Sequence, residues 1–503
     1  MGTIRKQAIY SSIVIYAGFL IGFINTWFFI RSGEHTFTPD QYGLTRLFYD
    51  VGQLMYSVAS FGVAAVLYKF FPYYQDNLEK KKIDLYGWVL IIPAIGFLLV
   101  MAGGYFFEPL IIRKYSARSP LFVDYYYWIF FFGAGILLFS VFEAISWTKK
   151  VTVFPNFLKE SALRLLTLIL VLVFYFQLLN FDGFIKLFAF QYLVIALILF
   201  IVLKWKLEIP FTLTPSRVTQ KFKKKMFTLG SLVYGGTIIV MLSQVADSII
   251  IGSIGERGTH DIGVYNFSAY IANLVQVPQR SIMAIALPVL SQAWKDKNMH
   301  EIDRVYKRTS INLFLMGLFI LGGIWLNIKD AYDVFGIQEA YKAGLYIILV
   351  LGITRLIDAG TGVNAEIIGT STQWRFEFFS RILLIILFIP LNYMLIKQYG
   401  LMGAAYGNLI AFTIYNTVRI IFLKVKFNLQ PFSNKTLLSL VMAAGVYFLC
   451  YYLFNGLSGL MGIIIRSIVF SILFMTAVYI LKLTPDAQQL IDVIKKRLGL
   501  QKN

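Results

Sequence analysis

Fourteen apolar runs of roughly 20 residues divide this 503-residue chain, each about long enough to cross a ~30 Å hydrocarbon layer at ~1.5 Å per helical residue. They fall at 8–30, 41–68, 85–107, 121–147, 157–178, 184–203, 226–251, 262–290, 309–328, 340–368, 377–396, 402–423, 436–455 and 462–481, and are called spans 1 to 14 below. Only helices that satisfy their own backbone can repeat this way in lipid, so the pattern predicts an all-α polytopic membrane protein of about 14 transmembrane helices. With 58% hydrophobic residues and a mean hydropathy of +0.70, the chain has more apolar surface than one soluble core could hide. A water-soluble enzyme is excluded. The loops are no longer than about 25 residues, which leaves no room for an appended catalytic domain.

Charge sets the orientation. The net charge of +20 is carried by 46 Lys and Arg, of which about thirty lie in the even-side loops and the two tails, against seven in the odd-side loops. The asymmetry predicts both termini in the cytoplasm. Span 1 follows Arg5-Lys6 and exceeds the apolar core of a signal peptide, so it reads as a retained anchor. The richest basic segment, Lys204 to Lys225, is read as an orientation signal that also touches anionic lipid rather than as a nucleic-acid patch. From Thr484 to Leu500 a Thr-Pro-Asp cap and alternating apolar and basic residues predict an interfacial amphipathic helix.

No cofactor is expected. Cys450 is the lone cysteine and lies in an apolar run, and His35, His260 and His300 sit in separate loops as solvated groups, so no metal site is foreseen. No nucleotide-binding glycine loop or His-Glu-x-x-His helix is present in the sequence.

A weak internal repeat is visible. Tyr16-Ala17-Gly18 parallels Tyr234-Gly235-Gly236, and Gly43-Leu44 with Leu54 parallels Gly263-Val264 with Leu274, at offsets of 218 and 220. Both offsets cover six spans, so the halves share one orientation, a pattern found in transporters that hold substrate between repeats. The predicted organisation is an N-lobe at 1–225 (spans 1–6), a C-lobe at 226–430 (spans 7–12), two extra helices at 431–483 and a cytoplasmic tail at 484–503.

Ionisable groups inside the spans carry the functional information, because each costs about 2.5–3.5 kcal/mol at the bilayer centre unless it faces a partner or a wet cavity. They are Arg46 and Asp50 in span 2, Asp247 in span 7, Arg280 in span 8, Arg355, Asp358 and Glu366 in span 10, and Glu377 and Arg381 in span 11. Spacings of three or four predict local pairs for Arg46 with Asp50, Arg355 with Asp358, and Glu377 with Arg381. Arg280 has no acidic neighbour at helical spacing. It lies in Val277-Pro278-Gln279-Arg280-Ser281, where Pro278 and then Pro288 are expected to interrupt the helix. Its guanidinium suits a phosphate, or else a carboxylate such as Asp247. Arg164, Arg419, Arg466, Lys186 and Lys342 are read as structural side chains that snorkel toward the span ends. The Tyr125-Tyr126-Tyr127-Trp128 cluster is read as an interfacial belt.

Several ordered motifs carry a family resemblance. Asp40-Gln41-Tyr42-Gly43-Leu44 opens span 2 and Phe61-Gly62-Val63-Ala64 lies near its end. Pro288-Val289-Leu290-Ser291 closes span 8, and Gly400-Leu401-Met402-Gly403-Ala404-Ala405 opens span 12. With fourteen spans, this set resembles the multidrug/oligosaccharidyl-lipid/polysaccharide (MOP) exporter superfamily, and within it the Wzx-type oligosaccharide flippases of bacterial envelope biosynthesis. The resemblance implies two six-helix lobes, two extra helices, and alternating access for a polyprenyl-pyrophosphate-linked glycan at the cytoplasmic (inner) membrane. Related lipid II flippases place cavity arginines on spans 1, 2 and 8. Arg46 and Arg280 match that pattern, whereas span 1 has Asn25 and Thr26, which argues against lipid II as cargo. Drug-exporting relatives often couple through a span 1 carboxylate, which this chain also lacks.

The expected function is therefore transport of a lipid-linked oligosaccharide without ATP, its diphosphate held by Arg46, Arg280 and Arg355. Asp50, Asp247 and Asp358 are candidates for coupling to H+ or Na+, with the membrane potential as a further drive. Membrane lipids and a glycan polymerase are candidate partners. A cation-coupled multidrug exporter of the same superfamily is the alternative, and would favour an acidic cavity. A membrane glycan polymerase or transferase would need a substantial catalytic loop.

Overall fold

The computed structural model describes residues 17–486. Helix is the regular structure of these residues, which contain no β-strand, as the apolar runs predict. Ten helices are each long and apolar enough to cross a bilayer, and two bent helix pairs bring that number to twelve. The shorter Ala17–Ile30 and an unbroken helical stretch over 153–175 supply spans 1 and 5. Residues 8–16 of span 1 and the amphipathic helix expected beyond Asp486 lie outside the described residues.

Three departures from straight spans have local causes. Span 2 divides into Pro39–Ala59 and Val63–Asn77 with a 48° bend, where Gly62 takes a left-handed φ of 68°. Span 10 divides into Leu345–Gly360 and Asn364–Thr370 with a 42° bend around Gly362, at φ 69°. Span 8 changes at Leu274–Gln276, a 3-10 turn just before Pro278. Pro278 therefore sits in the first turn of Val277–Lys295, where a missing N–H costs nothing, and the helix runs on through Pro288. Neither proline breaks the helix at its own position, contrary to the expectation for this span.

The chain forms two compact units, 1–263 and 264–503. In the first, Trp128–Thr148 (span 4), apolar around its circumference apart from Glu143 and a few hydroxyls, is the most enclosed of the ten long helices. It packs on Phe181–Ile201 of span 6, where Gly135 lies against the Tyr192 and Leu193 backbone and Phe132 stacks on Phe188 at 5.3 Å. Arg217–Ile254 (span 7) packs along span 2 in this unit. There the Tyr234 hydroxyl donates to the Val58 carbonyl at 2.9 Å, and that of Tyr115 to Ile249 at 3.0 Å. Gly43 and Gly263, equivalent in the repeat, meet in this unit as well. A Cβ on Gly43 would strike the Thr259 carbonyl, and one on Gly263 would strike the Pro39 carbonyl. Thr259 is 220 residues after Pro39, so the contact is reciprocal at the repeat's own offset.

In the second unit, spans 11 and 12, Trp374–Tyr399 and Leu401–Phe427, form a tight hairpin. Gly400 turns the chain at φ 57°, and Gly403 and Gly407 let span 12 lie against Leu395 and Asn392. Met299–Val334 (span 9) packs on span 10 and on Asn434–Leu453 and Gly459–Ile480 (spans 13 and 14) around Phe470, Phe474 and Leu321.

Candidate functional site

In the first unit the capping box of Thr38 and Gln41 starts span 2, and three polar side chains follow on one face at Arg46, Tyr49 and Asp50. The Arg46 guanidinium stands 4.8 Å over the Tyr42 ring and is hydrogen-bonded to the Tyr42 side chain, while its buried Nε has no partner among the described residues. Asp50 accepts a hydrogen bond from Ser248 on span 7 and lies within electrostatic reach of both Arg46 and Asp247. Three of the six candidate residues, Arg46, Asp50 and Asp247, thus gather between spans 2 and 7.

In the second unit Asp358 accepts from the amides of Gln276 at 2.6 Å and Asn416 at 2.9 Å. Asn416 also accepts from Thr361 and Asn364 at the break in span 10, each at 3.2 Å. Among the described residues no cation pairs with Asp358. Arg355, one turn earlier, lies 5.4 Å from the Phe412 ring face, again with a buried Nε that has no partner. Arg280 is exposed in the first turns of Val277–Lys295 and makes no hydrogen bond or ion pair among the described residues.

The predicted pairs fare unevenly. Glu377 and Arg381 bond at 2.9 Å. Arg46 with Asp50, and Arg355 with Asp358, form no ion pair, because each aspartate turns to neutral donors on another helix. The snorkelling expected of three arginines is also corrected. Arg419 is 4% exposed and binds Glu377, Arg466 is 8% exposed and binds Asp330, and Arg164 binds Glu160 at 2.9 Å. Lys186 and Lys342 remain partly exposed at their span ends and pair there with exposed carboxylates, in keeping with a structural role. His260 is half-buried beside Asp261 rather than freely solvated.

Two features escaped the sequence reading. Glu143 of span 4, 9% exposed, faces Lys159 at 3.4 Å across a π-helical turn, Leu158–Ala162. Only the depth of Glu143 in its span could have signalled it. The amide relay of Gln276, Asn364 and Asn416 has no charge to draw attention. In span 1, Asn25 donates to the Arg164 carbonyl at 2.8 Å and Thr26 to that of Gly22 at 2.9 Å.

No protein-family model matches the chain, and no curated protein matches it significantly. Solved structures do match. One is lipid II flippase MurJ in an inward closed conformation, with a TM-score of 0.71 and 13% identity over 94% of this chain and 98% of that one. Another is an inward-facing multidrug resistance MATE family transporter of the MOP superfamily, with a TM-score of 0.65 and 14% identity over 83% and 94%. This chain has their fold. At such identities the likeness is one of architecture.

Proposed function

We propose that this protein is a transporter of the MOP superfamily that moves a polyprenyl-pyrophosphate-linked oligosaccharide from the inner to the outer leaflet of the bacterial cytoplasmic membrane by alternating access. One observation carries the reading. Arg164, Arg381, Arg419 and Arg466 each bind a carboxylate of the protein, whereas Arg46, Arg280 and Arg355 form no ion pair among the described residues. A guanidinium left without a carboxylate inside a transmembrane segment is expensive unless its partner arrives with the cargo. A diphosphate offers the oxygen pairs that guanidinium forks bind bidentately. Both termini are then cytoplasmic, and the anionic cargo moves outward down an inside-negative potential, at about 2.3 kcal/mol per charge per 100 mV.

Asp50, close to Asp247, and Asp358, held by the amides of Gln276 and Asn416, are carboxylates that a proton or Na+ would neutralise, which supports them as coupling residues. The same aspartates favour the second reading, a cation-coupled multidrug exporter. Export of a lipid-linked glycan from proteoliposomes separates the two. Arg280→Ala should abolish export while the purified protein keeps its thermal midpoint, because the missing partner belongs to the cargo. Arg280→Lys should restore part of the rate, since an ammonium keeps charge and loses the fork. Full export by a folded Arg280→Ala protein would exclude the phosphate-holding role.

A further inference from the structure

A groove of about 890 Å³ runs along the second unit between spans 8, 9 and 14, within the ~300–1,000 Å³ range of small-molecule sites. Its walls are apolar, with Ile285 and Val289 from span 8, Met316 and Phe319 from span 9, and Met475 and Val478 from span 14. Ile285, Met316 and Met475 are 72%, 45% and 53% exposed, so the groove opens sideways rather than into a sealed core. One end is different. On span 9 the stripe Arg304, Arg308 and Asn312 continues the same helical face as Met316 and Phe319, at spacings of three and four.

At that end an anion already sits on the arginine. Arg308 donates from Nε to one Asp486 oxygen at 2.8 Å and from Nη2 to the other, and Asn312 donates to the same carboxylate at 2.5 Å. The Thr484 hydroxyl donates to the Asn312 carbonyl oxygen at 2.6 Å, and Lys435 holds the Lys482 carbonyl at 2.8 Å, which brings the chain back over the mouth. Asp486 lies beyond the last spanning helix, and its pKa is held below the usual carboxylate range, first by the Arg308 hydrogen bond. Arg304, beside it, pairs with Glu301 at 2.7 Å and is largely exposed.

We infer that the groove and its Arg308 end form a binding site for an anionic phospholipid of the surrounding membrane, with its phosphate on Arg308 and Asn312 and an acyl chain along the groove, and that the chain's own Asp486 occupies the phosphate position until the lipid displaces it. A forked guanidinium with an added amide donor fits two phosphate oxygens as it fits a carboxylate. An apolar groove continuous with that anion pocket and open to the side selects a ligand with both a phosphate and a hydrocarbon chain, which a soluble anion lacks. The site is independent of the cargo proposed above, since it uses none of Arg46, Arg280 and Arg355.

Self-occupancy gives the test its sign. If Asp486 competes, the apparent affinity for lipid is reduced by the fraction of molecules with the pocket open, so Asp486→Asn should tighten binding by about three- to fivefold. Full-length protein in detergent is titrated with phosphatidylglycerol, phosphatidylcholine, polyprenyl phosphate or glycerol phosphate, with bound lipid counted by native mass spectrometry and the thermal midpoint followed in parallel. The inference expects tighter phosphatidylglycerol binding by Asp486→Asn and loss of the preference over phosphatidylcholine in Arg308→Gln. It also expects weaker binding in Met316→Trp, which fills the groove and leaves the anion pocket intact. Because removing Asp486 also removes an ion pair, the Asp486→Asn, Arg308→Gln double variant is measured too, and should show no tightening. Equal affinity in the parent and Asp486→Asn would overturn the inference. So would competition by glycerol phosphate at the lipid's own concentration, or selective binding of polyprenyl phosphate alone.

Discussion

Removing Arg419 tests whether a buried guanidinium of this fold is held by the protein's own carboxylate. Its side chain is 4% exposed, its Nη2 meets Glu377, its Nη1 lies 3.4 Å from the Asn364 carbonyl oxygen, and its guanidinium carbon stands 4.0 Å over the Tyr415 ring. Breaking a buried ion pair from one side costs about 3–5 kcal/mol, mostly as the penalty of the charge left behind. Glu377 would keep Arg381, which is 45% exposed and better solvated, so the lower end of about 3 kcal/mol is expected for Arg419→Met. For a cooperative unit of this size that is a fall of about 6–12 °C in thermal midpoint. Adding Glu377→Gln removes the buried carboxylate at the cost of its Arg381 pair and should recover part of the loss, a coupling of about 1 kcal/mol in the double-mutant cycle. The readout is tryptophan fluorescence of the detergent-solubilised protein on heating. A midpoint within a degree of the parent, or additive single effects, would show that Arg419 reaches water and that its bond to Glu377 contributes nothing.

Two further outcomes follow from other contacts. Gly43→Ala and Gly263→Ala each drive a methyl into a backbone carbonyl that no rotamer change can move, so each should cost about 1–3 kcal/mol and lower the thermal midpoint; unchanged midpoints would refute the close crossing. The folded-state pKa of Asp486 lies below the ~3.9 of an unfolded aspartate, so its pair with Arg308 adds stability above that range and loses it as pH falls through the depressed value. Both side chains are more than a third exposed, which keeps the effect under about 1 kcal/mol. Thermal midpoints from pH 6 downward should therefore fall slightly more steeply for the parent than for Asp486→Asn, and parallel curves would remove the pair from the ledger.

What the sequence made legible follows the range of the interaction behind it. Hydropathy is read from adjacent residues, so the spans and the all-helical class were visible. A left-handed glycine is also local, and Gly62 could have announced the break in span 2. Partner choice is not local. Glu377 lies 42 residues before Arg419, and Asp330 lies 136 before Arg466, so two buried ion pairs looked like side chains reaching for the interface. The reverse error arose at Arg355 and Asp358, where a spacing of three suggested a pair although Gln276 and Asn416, 82 and 58 residues away, take the carboxylate. The amides passed unnoticed because only charges were counted, yet in lipid an amide can settle a carboxylate's direction as firmly as a cation can.

The motifs behind the family resemblance prove to be residues of architecture. Thr38 and Gln41 cap span 2, Asp40 accepts from Thr259 at 2.8 Å, Gly43 meets Gly263, and Leu290 is fully buried. Gly400 and Gly403 make the turn and close approach between spans 11 and 12. Such positions answer to backbone geometry, which a lipid flippase and a drug exporter of one fold share, so a likeness at them cannot choose between cargoes. That choice falls to side chains the fold does not need. Arg419 and Arg466 would leave a buried carboxylate behind if lost, and their presence is explained without a ligand. Arg280 leaves none, and neither its exposed position nor its proline-led helix requires a guanidinium. On the proposed function, Arg46, Arg280 and Arg355, which bind no carboxylate among the described residues, are the side chains an oxyanion would meet and an amphiphilic cation would avoid.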